Sequence, residues 1–81
     1  MEDDENGRPM TFGEKAVGLS FNPSGDMDVQ RIKEQFAAII DTMNSMRNAN
    51  ESGESKRMFS VAITEAQTAQ MWAVKAATWK Y

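Results

Sequence analysis

Residues 29–47 read VQRIKEQFAAIIDTMNSMR, with apolar residues spaced three or four positions apart. Two heptad-spaced series run through this stretch: Val29, Phe36 and Met43, and, three positions later, Ile32, Ile39 and Met46. This spacing predicts an amphipathic α-helix over residues 27–47. Ser24 or Asp26 precedes it as a candidate N-cap.

A second helical pattern covers residues 55–79 and follows a polar turn, NANESGES, at residues 48–55. It carries a stripe of mostly small residues, largely alanine, and a larger mixed stripe that includes Trp72 and Trp79. A short turn between two long helices predicts an antiparallel hairpin. Because a lone hairpin cannot cover both stripes, we expect an all-α, two-helix hairpin that assembles as an oligomer.

The N-terminal third divides into two parts. Residues 1–9 are polar and acidic, and we interpret them as a disordered tail. Residues 10–26, MTFGEKAVGLSFNPSGD, contain three glycines and a proline, which argues against a long helix there. Their apolar residues should dock on the hairpin as an ordered arm. The expected organisation is therefore a tail over residues 1–9 and one helical hairpin domain over residues 10–81.

Composition excludes several classes of protein. The 81 residues suit a single small domain. They include no cysteine, so a thiolate metal site is excluded, and no histidine, the commonest general base. Asp26 and Asp28 lack the rest of a calcium loop, and Glu34 and Asp41 are expected to be solvated on a polar helix face. We therefore predict no enzyme, no bound metal and no cofactor.

Charge and hydropathy limit the classes of partner and the cellular location that we expect for this chain. Four of the twelve acidic residues fall at positions 2–5, and without them eight acids face nine bases. A nearly neutral domain argues against DNA or RNA as the partner. No apolar run is long enough to span a membrane. The acidic N-terminus is unlike a signal peptide, so we expect a cytoplasmic protein.

A few residues suit a small anionic ligand instead. Phe12 and Phe21 flank the glycine-rich arm, where an aromatic ring can stack on a base, and Asn22 can read a base edge. Alternatively, both rings anchor the arm on the hairpin. Arg31 and Lys33 near the start of the first helix can neutralise a phosphate, or they simply solvate that helix.

Bases at the start of the second helix oppose its dipole. Arg57, next to Lys56, stands there at a cost of a few tenths of a kcal/mol, and such local conflicts tend to mark functional residues. The alternative is a pair of surface bases. Trp72 and Trp79 could stack on bases too, although their helical spacing favours interface packing.

Three stretches carry a resemblance to a known family: FGEKAVGLSFNPSGD (12–26), VQRIK (29–33) and RMFSVAITEAQTAQMWAVKAA (57–77). They resemble the small phage proteins that sequester immune nucleotide signals, the Thoeris anti-defence sponges and the related anti-CBASS sponges. The resemblance covers about residues 10–79. Its strongest part is the T-x-x-Q-T-x-x-M pattern that begins at Thr64.

The resemblance implies a phage anti-defence protein that works in the infected bacterium. Such proteins bind cyclic nucleotide signals, such as glyco-cyclic ADP-ribose isomers and cyclic di- and trinucleotides, without cleaving them. They form dimers or hexamers built from dimers, with pockets between subunits. The alternative function is a structural or adaptor hairpin that binds a protein partner.

The resemblance also implies site residues. The family's stacking ring in the arm matches Phe12 first and Phe21 second. Lys33 matches the lysine of the first helix, and Arg57 matches the arginine that opens the second. Asn22 is a weaker match. Arg31 and Arg8 complete the candidate ligand-binding set, Arg8 on condition that it reaches the pocket.

Overall fold

Three α-helices form the secondary structure of residues 7–81, the part of the chain that the computed structural model describes. Helix α1 spans Phe12–Val17, α2 spans Met27–Ala49 and α3 spans Gly53–Ala77, and no strand occurs within the described range. The all-α class is confirmed. Both long helices begin and end within two residues of their predicted limits.

Caps explain where the long helices begin. The Asp26 carboxylate accepts the Val29 N–H at 3.0 Å and starts α2, as one of the two predicted caps. Ser52 starts α3 by accepting the Ser55 N–H through its hydroxyl at 3.2 Å. Only three residues, 50–52, separate the helices, so the chain turns back at once and α3 packs along α2.

The arm contains a helix that the sequence analysis did not anticipate. Thr11 and Glu14 form a reciprocal capping box at its start: the Thr11 hydroxyl accepts the Glu14 N–H at 3.1 Å, and the Glu14 carboxylate accepts the Thr11 N–H at 2.9 Å. Gly18 ends the helix in a left-handed conformation, with φ of 63°. The capping box and the left-handed glycine stabilise the two ends of a six-residue helix. Its short length is consistent with the glycine content of the segment, which argued only against a long helix.

The core joins all three helices. Its buried side chains are Val17 of α1, Ala37 and Ile40 of α2 and Ile63 of α3. Half-buried side chains surround this cluster: Ala16, Leu19, Phe36, Met43 and Ala66. Ile40 is completely buried, so its substitution by a smaller residue would open a cavity between three helices.

One half of the heptad pattern on α2 does not face the hairpin partner. Val29, Phe36 and Met43 turn inward, but Ile39 and Met46 are about half exposed. The reason is that α2 packs against both α1 and α3, which shifts its buried face away from the second series. Part of the α2 surface is therefore apolar and open to solvent.

The mixed stripe of α3 is open to solvent as well. Trp72 is 66% exposed and Trp79 is 59% exposed in the single chain. Within residues 7–81, no helix is both long and apolar enough to cross a membrane. Most of the predicted acidic tail, residues 1–6, lies outside the described residues, and the predicted boundary at residue 10 stays a prediction.

Candidate ligand-binding site

A close backbone contact sets the position of Phe12. The Gly13 N–H donates to the Asp41 carboxylate at 2.7 Å, which joins the start of α1 to the middle of α2. A Cβ atom on Gly13 would collide with the carbonyl oxygen of Ala37 and would come within 2.9 Å of the same carboxylate. Asp41, expected to be solvated, is half-buried in this contact and anchors α1.

Phe12 lies against a fixed guanidinium group. The ring is 44% exposed, and the guanidinium carbon of Arg47 lies 5.6 Å from its centroid. Arg47 donates from Nη1 to the Ser60 hydroxyl at 2.9 Å and from Nη2 to the Asn44 side-chain oxygen at 2.7 Å. Side chains of α1, α2 and α3 therefore meet at one point, near the end of the hairpin that holds the linker.

Arg47 is not among the ligand-binding residues predicted from the sequence. An arginine in the last turn of a helix is common because it complements the helix dipole, and nothing in the local sequence distinguishes this one. Its neighbours Phe12 and Ser60 are 35 and 13 residues away in the chain, so only the fold brings the cluster together.

The three arginines that the sequence analysis named all pair with a carboxylate of the same chain. Arg8 lies 3.3 Å from Glu14, Arg31 lies 2.6 Å from Asp28, and Arg57 lies 2.7 Å from Glu54. The Arg57 hydrogen bond lowers the pKa of Glu54 and raises that of Arg57. Arg31 and Arg57 are exposed, and their pairs span a single helical turn. Such exposed pairs contribute little stability and exchange readily for another anion.

Lys33 is buried beneath the arm. It is only 6% exposed, and its Nζ donates to the carbonyl oxygens of Gly18 at 3.0 Å and of Phe21 at 2.5 Å. Burial lowers the pKa of Lys33 from its usual 10.5. In the single chain this lysine holds the segment after α1 against α2.

Phe21 and Asn22 lie in the turn that Lys33 holds. The Phe21 ring is 73% exposed, and its centroid is 5.6 Å from Lys33 Nζ. Asn22 makes two hydrogen bonds with the backbone of Asp26, one to its carbonyl at 2.9 Å and one from its N–H at 3.2 Å. The Asn22 amide therefore closes the turn that precedes α2.

The named residues do not form one cluster in a single chain. Lys33 and Arg47 are 14 residues apart on α2, which corresponds to about 21 Å along the helix axis. Phe21 and Asn22 belong to the Lys33 end, whereas Phe12 belongs to the Arg47 end. In the single chain, the Phe12 ring therefore lies against Arg47 and the Phe21 ring lies against Lys33.

A groove occupies the Lys33 end of the hairpin. It has a volume of about 460 Å³, and it is lined by Ser24, Asp26, Ala77, Thr78, Trp79 and Lys80. Beside it the Trp79 and Tyr81 rings meet edge to face at 5.3 Å. The Lys75 ammonium lies 5.4 Å from the Trp72 ring and 5.9 Å from the Trp79 ring. This end combines exposed aromatic rings with positive charge.

Residues 7–81 contain no cluster of three or more acidic, histidine or cysteine side chains that could hold a metal ion. Between them, the Arg47 end and the Lys33 end of the hairpin offer aromatic faces, amide groups and cations. These groups can bind an anionic aromatic molecule through stacking and charge-assisted hydrogen bonds.

Comparison with known proteins identifies the family of the chain. No curated protein and no solved structure matches the chain. One family model does, that of the Acb2/Tad1 hairpin domain, over residues 14–78. This is the hairpin domain shared by anti-CBASS and anti-Thoeris sponge proteins, which sequester their targets. The match covers most of the chain, including α2 and α3, and we conclude that this protein belongs to the Acb2/Tad1 hairpin domain family.

Proposed function

We propose that this chain is a phage protein that binds cyclic nucleotide immune signals in the cytoplasm of an infected bacterium and holds them without cleaving them. Family membership supports the broad anti-defence role. The observation that carries the specific proposal is the half-exposed Phe12 ring, held by a backbone contact at Gly13 and backed by the Arg47 guanidinium. A fixed ring beside a fixed cation suits a base joined to a phosphate.

The proposed ligands are glyco-cyclic ADP-ribose isomers and cyclic di- or trinucleotides. Each combines at least one nucleobase with two or more phosphates in a closed, compact molecule. Closure lowers the entropy that the ligand loses on binding, because few torsions remain to be ordered. A rigid protein site is then enough for tight binding, and no catalytic group is needed.

We further propose that the working form is a homo-oligomer, a dimer or a hexamer built from dimers. Trp72 and Trp79 on α3, together with Ile39 and Met46 on α2, are about half exposed or more in the single chain. Surfaces of this kind usually mark an interaction site. Assembly would also allow the Phe12 end of one protomer to approach the Phe21 end of another, so that both groups contact one ligand.

The alternative is an adaptor hairpin that binds a protein partner. The exposed Trp72–Lys75–Trp79 surface favours it, because tryptophan is enriched among the residues that dominate protein interfaces. An adaptor does not need the Gly13 contact that fixes Phe12. Substitution of Trp72 should therefore abolish an adaptor function, whereas substitution of Phe12 should leave it intact.

The experiment that tests the proposal is capture and release. The protein is incubated with a panel of cyclic nucleotides, filtered to remove unbound ligand, heated, and filtered again, and the filtrate is analysed by mass spectrometry. We expect intact ligand in the heated filtrate. Recovery of a cleaved product would indicate an enzyme, and recovery of no ligand from any member of the panel would favour the adaptor.

A further inference from the structure

Arg47 differs from the other arginines of the chain in one respect. Arg8, Arg31 and Arg57 each pair with a carboxylate, whereas Arg47 has no ion-pair partner among residues 7–81. It is also half-buried. Its hydrogen-bond partners, Ser60 and Asn44, are both neutral, so no carboxylate within the described residues compensates the positive charge of the guanidinium. The arrangement therefore leaves a place for an external anion.

The guanidinium is already oriented for such a contact. A guanidinium carries five N–H donors in a rigid plane. Ser60 and Asn44 each accept one of them, and the Phe12 ring lies against the group, so three donors remain. Because neutral acceptors and a ring fix the group, an incoming phosphate would not have to displace a carboxylate.

We propose that Arg47 binds a phosphate of the ligand whose base stacks on the free face of Phe12. This inference rests on the proposed function, since it assumes that the ligand carries both a base and a phosphate. It makes Arg47, rather than the neutralised Arg57, the main phosphate-binding arginine of the Phe12 end. Ser60 and Asn44 are positioning residues, because they act through the orientation of the guanidinium.

The first test measures binding of cyclic di-AMP to the full chain by calorimetry. Arg47→Gln should weaken binding about 10- to 150-fold, the range expected when hydrogen bonds to a charged group are lost. Arg47→Lys, which keeps the charge without the planar fork, should recover only part of the loss. The comparison variant is Arg31→Gln, an exposed arginine near the opposite end of α2, and it should weaken binding by a smaller factor than Arg47→Gln does.

A second measurement does not depend on the Arg47→Gln variant or on the nucleotide. The wild-type protein is titrated with inorganic pyrophosphate while NMR follows the arginine Nε–H resonances. The Arg47 signal, identified by its absence from Arg47→Lys, should shift at lower concentration than those of Arg31 and Arg57. This readout decides the question even if Arg47→Gln fails to fold, since Arg47 contacts all three helices.

The outcomes separate this inference from the proposed function. If cyclic di-AMP binds equally well to wild type and to a folded Arg47→Gln, the inference is overturned and the proposed function stands. If the wild type binds no nucleotide but pyrophosphate shifts the Arg47 signal first, the anion site stands and the ligand class is wrong. The inference is also overturned if Arg47→Gln weakens cyclic di-AMP binding no more than Arg31→Gln does, and if pyrophosphate shifts the Arg47 signal at no lower concentration than the Arg31 signal.

Discussion

Replacing Gly13 by alanine should dislodge α1 from α2. The new Cβ would collide with the carbonyl oxygen of Ala37, which belongs to the α2 backbone and cannot rotate away. Relief requires α1 to move outward, and that movement lengthens the 2.7 Å hydrogen bond from the Gly13 N–H to Asp41. Phe12 is the next residue, so its ring would move with the helix.

The expected cost comes from overpacking and from the weakened hydrogen bond. Overpacking of a tight contact typically costs about 1–3 kcal/mol. A hydrogen bond to a charged group contributes about 1.5–3 kcal/mol, of which displacement removes a part. We expect the free energy of unfolding to fall by about 2–4 kcal/mol, or by roughly 10–30 °C in melting temperature for a domain of this size.

The assay combines thermal unfolding by circular dichroism with ligand binding. The control is Gly53→Ala at the first position of α3, where a Cβ would meet nothing within 4 Å. That change should leave the melting temperature unchanged or raise it, because it reduces the freedom of the unfolded chain. If Gly13→Ala has the same melting temperature as Gly53→Ala and binds ligand normally, the Gly13 contact does not hold α1 on α2 as described.

Four other substitutions test the binding site, the helix start, the buried lysine and the assembly. Phe12→Ala should weaken cyclic nucleotide binding about 5- to 150-fold, from the ~1–3 kcal/mol of a stacked base, while circular dichroism shows an unchanged helical content; an unfolded variant would mean that the ring only anchors the arm. Arg57→Ala should leave the free energy of unfolding in urea titrations nearly unchanged, because its exposed pair with Glu54 and its unfavourable position near the start of α3 nearly cancel; a clear loss of stability would make it a structural residue. Burial lowers the pKa of Lys33, so the folded chain binds fewer protons than the unfolded chain just below pH 10.5. The free energy of unfolding of wild type relative to Lys33→Met should therefore rise with pH in that range, and a fall would contradict the lowered pKa. Ala69→Glu should shift light scattering of a folded protein from oligomer toward monomer; wild type that is itself a folded monomer at micromolar concentration would contradict the proposed assembly.

The long helices were predictable because their signals are local. Apolar spacing, an aspartate before α2 and a short polar linker each act over a few residues, and together they place both helices within two residues. Helix α1 was harder to anticipate. Its six residues are too few to show a period, and it is held by its capping box and by the contact of Gly13 with α2.

The candidate site was only partly predictable, because burial and pairing depend on the tertiary fold. Phe12 was named from the arm and lies exposed at the end of the molecule that holds the linker. Lys33 was named as a ligand residue, and the arm that covers it gives it two carbonyl partners. Arg47 was not named, since the ring and the hydroxyl that fix it come from distant parts of the chain. The sequence therefore suggested candidate residues, whereas the burial and the partners of those residues depend on the fold.

The central claim is that the chain sequesters its ligand stoichiometrically. The most direct test is a time course in which a cyclic nucleotide is in about twofold excess over the protein, and free intact ligand is measured after filtration. If the chain sequesters the ligand, free ligand should drop rapidly in proportion to the protein concentration, stay constant afterwards, and be fully recovered intact on heating. A continuing loss of ligand with time would show turnover, and no drop with any cyclic nucleotide would show that the chain does not bind this class of signal.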